Sequence, residues 1–371
     1  MQNDYDVVII GGGVLGCASA YRMAGDRDVL VLEREQLAAS ASGAGAGVVS
    51  PTLYLGQEPA VASMCNEFFR EFDGAHGFSL TEHPRRELIR EPENVSDANE
   101  WATRLSDAGF PVSYLDSAGV EARYPTMATT EVAGAIEFRD TAWVDTATLT
   151  SAFAEAARER GATVRTGVAV TDVLTSNGHA TGVDTTEGEI RADTVVAAAG
   201  WANPTFLPET VSVPVEPYRT QCAIVDLDSD AMAHPIWRRP DEGIYARPWD
   251  DDQFLVGGGS GPLTDTGSER LDPAFRDSVS DIVPRVYREE ESARIASGWT
   301  GIAGMTADGW PIVGESDAVA DLVVVQAAVM GIMGAPAISK AVETVITGAD
   351  CPFDPATFAL DRFEEADTDF E

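Results

Sequence analysis

A glycine-rich turn close to the start of the chain limits the possible folds more than any other feature. The sequence IIGGGVLGC contains Gly11-x-Gly13-x-x-Gly16 and overlaps the end of Tyr5–Ile10, a run rich in Val and Ile that is typical of a buried parallel strand. A helix-like segment comes next, and then the apolar run DVLVLE, which ends at Glu33. Strand, glycine turn, helix and strand within about 30 residues predict a βαβ unit of a Rossmann-like fold.

This turn has the spacing that binds the pyrophosphate of a dinucleotide. Gly11 allows the tight turn, Gly13 lets the backbone approach phosphate, and Gly16 lets the helix pack on the strand. The helix N-terminus favours an anion, and Glu33 lies where a carboxylate accepts hydrogen bonds from ribose hydroxyls. The same carboxylate disfavours the 2′-phosphate of NADP. The motif alone leaves NAD and FAD open.

Two later stretches extend the nucleotide site. Leu37–Ser50 is a run of Ala, Ser and Gly, either a flexible linker or backbone packed against a ligand. Because it directly follows the second strand, we favour ligand contact, with the hydroxyls of Ser40 and Ser42 reaching the pyrophosphate. The stretch VVAAAGWAN predicts another buried strand, which ends at Gly200 beside the nucleotide.

The nucleotide-fold features fall in three separated blocks of the chain. We therefore predict an α/β fold in which residues 1–77, 151–214 and 296–371 form a Rossmann-like nucleotide-binding domain. Residues 78–150 and 215–295 carry shorter strand patterns and predict a second, sheet-rich α+β domain for the substrate.

Sequence pieces spread over nearly the whole chain carry a family resemblance. They are VVIIGGGVLGCASAYRM with LVLERE, TVVAAAGWAN, YARPWDDDQFLVGGG, MTADGWPIVG and GIMGAPAISKAV. In this order they resemble the FAD-dependent D-amino-acid oxidase superfamily, especially its glycine oxidase, sarcosine oxidase and dimethylglycine dehydrogenase-like members. The resemblance implies that the nucleotide domain holds a resident FAD.

The resemblance also assigns cofactor contacts near the end of the chain. In such enzymes the segment at Gly331 opens the last helix beneath the flavin, where its amides and the helix dipole stabilise negative charge on the reduced ring. The backbone of Val170 matches the position that meets the adenine. The predicted cofactor-binding residues are Gly11, Gly13, Leu15, Gly16, Glu33, Arg34, Ser40, Ser42, Val170, Gly200, Met330, Gly331, Ile332 and Met333.

Two departures from the family concern the flavin. Gly301 stands where some relatives have the cysteine that attaches the flavin covalently, and no histidine occurs between Met1 and Phe72. We therefore expect noncovalent FAD. Lys340 is the only lysine, so the lysine with which some sarcosine oxidases activate oxygen is not expected. A dehydrogenase that passes electrons to a carrier and an oxidase without this lysine both remain open.

A third departure concerns the substrate. Relatives that oxidise glycine often have an arginine that binds the substrate carboxylate, but the matching residue here is Ala303. Since a bidentate carboxylate contact needs a guanidinium, we consider Arg247 first and Arg219 second, each against a purely structural ion pair. Tyr245 either covers the substrate or packs, and Trp299 either lines the pocket or packs the domain junction.

The resemblance implies oxidation of a small amine or amino acid of the glycine, sarcosine or D-amino-acid type. A hydride would pass from the substrate Cα to flavin N5. The alternatives are an FAD-dependent dehydrogenase of a 2-hydroxy acid or glycerol phosphate, a noncatalytic FAD subunit of an electron-transfer complex, and a separate NAD-dependent enzyme.

Composition narrows the partners. The net charge of −36 disfavours binding to nucleic acid or anionic lipid. The apolar stretch Leu322–Ile338 is interrupted by glycine and proline, and the N-terminus has no signal-peptide pattern, so we expect a cytoplasmic protein with no membrane span. The scattered four cysteines and four histidines indicate neither a metal site nor a disulfide framework. Excess Asp and Glu with one lysine indicates a halophilic protein.

Overall fold

The computed structural model describes residues 4–263, 270–288 and 290–363. Within these ranges the chain forms helices, strands and several short 3-10 helices. The helices are α1 (Val14–Met23), α2 (Pro51–Leu55), α3 (Pro59–Phe72), α4 (Val95–Asp107), α5 (Ser117–Arg123), α6 (Thr146–Glu159), α7 (Pro273–Val286) and α8 (Gly331–Thr347).

The strands are numbered in chain order in the same way. They are β1 (Tyr5–Ile10), β2 (Val29–Glu33), β3 (Val48–Val49), β4 (Thr81–Glu82), β5 (Arg85–Ile89), β6 (Val112–Asp116), β7 (Gly134–Phe138), β8 (Ala142–Trp143), β9 (Thr163–Thr166), β10 (Val170–Ser176), β11 (His179–Thr185), β12 (Ile190–Ala197), β13 (Val215–Asp226), β14 (Ile236–Arg239), β15 (Ile244–Asp250), β16 (Gln253–Pro262), β17 (Arg294–Thr306), β18 (Ile312–Glu315) and β19 (Leu322–Gln326).

The first sheet contains the N-terminal βαβ unit. Its strand β1 pairs in parallel with β2 and β12, and β9 and β19 extend this parallel core on either side. The antiparallel strands β10, β11 and β18 complete the sheet. Residues 7–10 are buried on both faces, which explains their unbroken apolar run. Helices α1, α6 and α8 pack together over one face and form the largest hydrophobic core.

The second sheet has the strand order β17-β13-β16-β15-β14-β5-β7-β6 and is antiparallel except for the β5–β14 pair. Helix α7 packs through Phe275, Val279 and Ile282 against apolar residues of one face. The opposite face carries Cys222 and Tyr245, which line the cavity described below. A small third sheet has the order β3-β8-β4. The mixed α/β class predicted from the sequence is confirmed.

The two large sheets draw on different stretches of the chain. Strands of the first sheet lie within residues 5–33, 163–197 and 312–326, and those of the second within 85–138 and 215–306. Strand β17 runs across the predicted boundary between residues 295 and 296. The domain boundaries therefore stay a prediction.

A hairpin of the first sheet is formed by β10 and β11, which pair over residues 170–185. The preceding residues form β9, which joins β2 in parallel. Gly167 separates β9 from β10 with a φ of +78°, a conformation that glycine adopts without strain. Helix α8 begins at Gly331, where the family resemblance puts the start of the last helix.

Among the described residues, no helix is long and apolar enough to cross a membrane. Nor do the described Cys, His, Asp and Glu residues form a cluster of three or more that could hold a metal ion.

Candidate active site

A cavity of about 480 Å³ joins the two large sheets. One end is lined by the glycine turn and the residues after β2, and we call it the nucleotide end. The other is lined by side chains of the second sheet, among them Arg85, Arg238 and Tyr245, and we call it the substrate end. Its volume is typical of cavities that bind small molecules and cofactors. Nucleotide-binding folds also bind their ligands at the carboxyl ends of the parallel strands.

The glycine turn has the geometry that the motif predicts. Gly11 has a φ of +112°, and a Cβ built there would stand 2.7 Å from the carbonyl oxygen of Ala198. At Gly16 a Cβ would stand 2.0 Å from the carbonyl oxygen of Gly11. Within the part of the chain that the structure describes, a Cβ at Gly13 would have only the Ser42 hydroxyl, at 3.1 Å, within 4 Å. The turn therefore needs glycine at 11 and 16 for packing, whereas Gly13 faces open space in the cavity wall.

Two predicted cofactor residues also hold the turn itself. Glu33 accepts a hydrogen bond from the Gly12 amide at 2.7 Å and another from the Glu35 amide at 2.9 Å. Ser42 accepts one from the Val14 amide at 2.9 Å, at the start of α1. Sequence reasoning predicted only their contacts with the ligand and missed this supporting role. Both residues still line the cavity.

The cavity wall contains most of the other predicted cofactor residues. Ser40 and Arg34 lie on the segment after β2, with the Arg34 Nε 3.3 Å from a carboxylate oxygen of Glu35. The complete set of predicted cofactor residues that line the cavity is Gly11, Gly13, Leu15, Glu33, Arg34, Ser40, Ser42, Val170, Gly200, Met330, Gly331, Ile332 and Met333. Gly16 lies behind the wall, where it packs against Gly11.

The far end of the nucleotide region is formed by the start of α8. The helix begins at Gly331 after the N-cap residue Met330, and its first turn lines the cavity. The neighbouring Gln326 is buried and donates from Nε2 to the Gly304 carbonyl oxygen at 3.2 Å, while its Oε1 has no hydrogen-bond partner among the described residues. A buried acceptor without a partner in a cavity wall suits a ligand that brings an N–H donor.

These residues fit FAD. The N-termini of two helices, α1 and α8, face one cavity, so each can stabilise negative charge at a different part of a long dinucleotide. The residues after β2 would hold the ADP half, and the first turn of α8 with Gln326 would hold the flavin. A Cβ built at Gly301 would stand 2.7 Å from Ala44 Cβ, so a cysteine for covalent attachment does not fit there without a shift.

Tyr245 is the predicted substrate residue that lines the cavity. Its ring covers Gly257, where a Cβ would stand 2.2 Å from the Tyr245 Cζ atom. Burial raises the pKa of the Tyr245 phenol well above its usual value, so the side chain stays protonated. Tyr245 therefore offers a neutral hydroxyl at the substrate end.

Arg247, our first candidate for the carboxylate contact, is not among the residues that line the cavity. It is buried, donates from Nε to the Ala46 carbonyl oxygen at 2.6 Å, and donates from Nη1 to the Pro248 carbonyl oxygen at 2.7 Å. Burial lowers the pKa of Arg247 to about 10. Its guanidinium thus connects β15 to the Ala/Ser/Gly segment.

The other two predicted substrate residues also lie outside the cavity wall. Arg219 pairs with Asp272 at 2.5 Å and donates to the Arg270 carbonyl oxygen at 2.6 Å. Trp299 donates from its indole nitrogen to the Ala44 carbonyl oxygen at 3.0 Å. This contact joins the second sheet to the segment after β2, which is the junction role considered for Trp299.

Sequence reasoning missed the charged residues that do line the substrate end. They are Arg85 on β5 and Arg238 on β14, with Tyr54 of α2 beside them. The cavity-lining acids among the described residues, Glu33 and Glu35, lie at the nucleotide end. The substrate end is therefore cationic although the chain has a net charge of −36. The available signal was the presence of adjacent charged residues within two strand-like patterns, RRELI and IWRR.

Comparison with known proteins defines the class. A family model described as FAD dependent oxidoreductase (DAO) matches residues 6–343. The chain therefore belongs to the DAO family of FAD-dependent oxidoreductases.

Individual relatives match most of the chain. The glycine oxidase of Geobacillus kaustophilus (strain HTA426) is 28% identical, over 98% of each chain. The D-amino acid dehydrogenase of Cereibacter sphaeroides (strain ATCC 17029) is 25% identical, over 84% of each chain. The crystal structure of glycine oxidase from Geobacillus kaustophilus has a TM-score of 0.82 at 26% identity, and the match covers 98% of this chain and 100% of that one. The predicted family, fold class, FAD cofactor and oxidoreductase activity are confirmed.

Proposed function

We propose that this protein oxidises a small amino acid or N-alkyl amino acid, which it binds through the substrate carboxylate. The single observation that carries the proposal is that one cavity combines an FAD cradle with a cationic end lined by Arg85 and Arg238. The activities named for the two curated relatives, glycine oxidase and D-amino acid dehydrogenase, support an amino acid as substrate.

FAD, when bound, supplies a two-electron acceptor for the hydride of the substrate Cα–H bond. The protein residues have to bind the substrate, orient this bond and exclude water. A guanidinium is suited to the substrate carboxylate because its donors match the two oxygens. The partly buried Tyr245 side chain lies at the same end, and its hydroxyl adds a neutral hydrogen-bonding group.

The charges of the substrate end also favour one protonation state of the substrate. No acidic side chain of the described residues lines this end, so an ammonium group would find no anionic partner among them there. Cationic walls disfavour a further positive charge. The amino acid is therefore bound with a neutral amine, which is the form whose nitrogen lone pair assists loss of hydride from Cα. The product is an imine, which water hydrolyses to an oxo acid and ammonia or a smaller amine.

Several finer points belong to the same proposal. The FAD is held noncovalently by a domain of residues 1–77, 151–214 and 296–371, and the substrate by residues 78–150 and 215–295. The protein is cytoplasmic. It is also adapted to high salt, which its acidic composition supports. The electron acceptor is either oxygen or an electron carrier. Lys340 pairs with Glu343 at 2.8 Å and does not line the cavity, so it does not take the place of the lysine with which some sarcosine oxidases activate oxygen.

The test is an anaerobic titration of the purified holoprotein in molar salt. Glycine, sarcosine and both enantiomers of alanine are added in turn, with methylamine, dimethylamine and ethylamine as matched amines that lack the carboxylate. We expect at least one amino acid to bleach the flavin band near about 450 nm, and its matched amine to leave it unchanged at the same concentration. The rate at which air restores the band then separates an oxidase from a dehydrogenase.

Three outcomes would contradict the proposal. Bleaching by glycolate or glycerol phosphate alone would identify a dehydrogenase of hydroxy compounds. A flavin that none of these compounds bleaches would support a noncatalytic FAD subunit. Yellow colour in the acid-precipitated pellet, instead of the supernatant, would refute noncovalent binding.

A further inference from the structure

A single row of residues crosses the second sheet beneath the substrate end of the cavity. Neighbouring strands place directly paired residues on the same face, so the row can be read from the register. Its members are Glu87 on β5, Arg238 on β14, Tyr245 on β15, Gly257 on β16, Cys222 on β13 and Trp299 on β17. The row is charged at the β5–β14 side and uncharged at the β13–β17 side.

This arrangement puts the cation far from the position where glycine-oxidising relatives have their arginine. Ala303 lies on β17, and Arg238 lies on β14, four strands away in the same sheet. At about 4.8 Å between neighbouring strands, the two strands are roughly 19 Å apart across the sheet. Ala303 also lies four residues along β17 from Trp299, the residue level with Arg238. A guanidinium on β14 therefore approaches the cavity from the side opposite to Ala303.

Two nitrogen atoms of the Arg238 guanidinium are available to donate hydrogen bonds to a ligand. It lines the cavity, and its side chain is 31% exposed. Within the part of the chain that the structure describes, its one ionic contact is from Nη1 to a Glu87 carboxylate oxygen at 3.3 Å. The Nε and Nη2 atoms have no such partner among those residues. Because these two atoms form one edge of the planar guanidinium, they match the two oxygens of a carboxylate.

Glu87 and Arg85 hold Arg238 in place. Glu87 is buried and does not line the cavity, and its other oxygen accepts from Arg85 Nε at 2.9 Å. Arg85 is fully buried and also donates to the hydroxyls of Ser50 at 3.3 Å and Tyr54 at 3.2 Å. Both guanidiniums lie over the Tyr54 ring, at 5.4 and 5.9 Å from its centroid. The donors of Arg85 are thus occupied, and those of Arg238 are available.

The charges of this group define the ligand. Two guanidiniums share one buried carboxylate, so the group carries a net charge of about +1. Although burial acts against the cation, Tyr54 and Glu87 keep the pKa of Arg85 above its usual value. One negative charge on a ligand neutralises the group, and a second would be left without a partner.

We propose that Arg238 is the residue that binds the substrate carboxylate in place of the arginine absent at Ala303, and that Glu87 is its positioning residue. The inference rests on the proposed function, because only that function makes the bound carboxylate a substrate. The carboxylate site itself can be tested without turnover. The assignment of Arg238 and Glu87 predicts a site that is selective for monoanionic carboxylates.

The test compares propionate with propionamide, its uncharged analogue, as probes of the holoprotein. Binding is measured by the change that each probe causes in the flavin absorption spectrum, in sulfate medium to avoid competing chloride. We expect the wild-type protein to prefer propionate, and Arg238→Met to weaken propionate binding about 10- to 100-fold while propionamide binding changes little. Arg238→Lys should recover part of the loss, since it restores the charge but not the fork.

Two further variants complete the design. Arg294→Met is the matched control, since Arg294 lies on the same sheet with 81% of its side chain exposed, and it should bind both probes as the wild type does. Glu87→Gln removes the shared negative charge and should raise the affinity for malonate relative to propionate, which a merely structural role of Glu87 would not do. If this variant fails to fold, the Arg238 variants still test the inference, because Glu87 keeps its contact with Arg85 in them.

The failures can be told apart. A wild-type protein without preference for propionate, or an Arg238→Met protein that keeps the preference, overturns the inference. A protein that shows the expected propionate result but is bleached by no amino acid overturns the proposed function and leaves Arg238 as a carboxylate site.

Discussion

The substitution Gly13→Ala separates cofactor binding from folding. Gly13 has φ −78° and ψ 177°, a conformation that alanine adopts without strain. Of the described residues, a Cβ there meets only the Ser42 hydroxyl, at 3.1 Å, whereas at Gly11 and Gly16 it would collide with backbone. The new methyl group would therefore project into the cavity at the N-terminus of α1, where the pyrophosphate is expected.

The structure gives separate magnitudes for the two effects. The fold has to move the Ser42 hydroxyl by a few tenths of an ångström, and the most it can lose is the hydrogen bond to Val14, worth about 1 kcal/mol. For the cofactor, the methyl group displaces phosphate from the turn amides, and each charge-assisted hydrogen bond lost costs about 1.5–3 kcal/mol. One such bond corresponds to a dissociation constant for FAD that is roughly 10- to 150-fold higher.

The assay is titration of FAD into apoprotein in molar salt, followed by quenching of flavin fluorescence. Gly261→Ala is the matched control because a Cβ there has no heavy atom of the described residues within 4 Å. We expect the control to bind FAD like the wild type, and apo Gly13→Ala to melt within about 4 °C of apo wild type. An FAD affinity of Gly13→Ala within about threefold of the wild type would refute the close approach of this turn to the pyrophosphate.

Three other predictions concern stability. Burial raises the pKa of Asp140 above its usual 3.8, so ionising it destabilises the fold as the pH rises through the folded-state pKa. Calorimetry should therefore show Asp140→Asn melting a few degrees above the wild type at pH 7, with the difference disappearing below about pH 3.8. Arg247→Met leaves the Ala46 and Pro248 carbonyl oxygens without this donor. It should therefore lower the free energy of unfolding in denaturant by about 1–3 kcal/mol and leave propionate binding unchanged. A selective loss of propionate affinity would restore Arg247 as a substrate residue. At low salt, repulsion among surface carboxylates is no longer screened to about 3 Å, so the melting temperature should fall strongly between molar and about 0.1 M salt, and equal values would refute salt adaptation.

The nucleotide end could be predicted because it is local in sequence. Spacing alone gave the βαβ unit, the glycine turn and the place of Glu33, since strand, turn, helix and strand follow within Tyr5–Glu33. What spacing could not give is that Glu33 and Ser42 bind the backbone amides of the turn, because that depends on how the following segment folds back.

The substrate end could not be predicted because it depends on pairing between distant strands. Arg238 and Glu87 are 151 residues apart and become neighbours only through the parallel β5–β14 pair. Alternation along β15 correctly puts Arg247 on the same face as Tyr245. It does not tell that the Arg247 guanidinium is taken up by carbonyl oxygens outside the cavity.

The most direct measurement of the central claim is one anaerobic spectrum recorded before and after addition of an amino acid, with its decarboxylated amine added to a parallel sample. An FAD enzyme that binds its substrate through a carboxylate should lose the band near about 450 nm with an amino acid and keep it with the amine. Equal bleaching by both would contradict carboxylate recognition, and a protein with no such band would contradict the flavin itself.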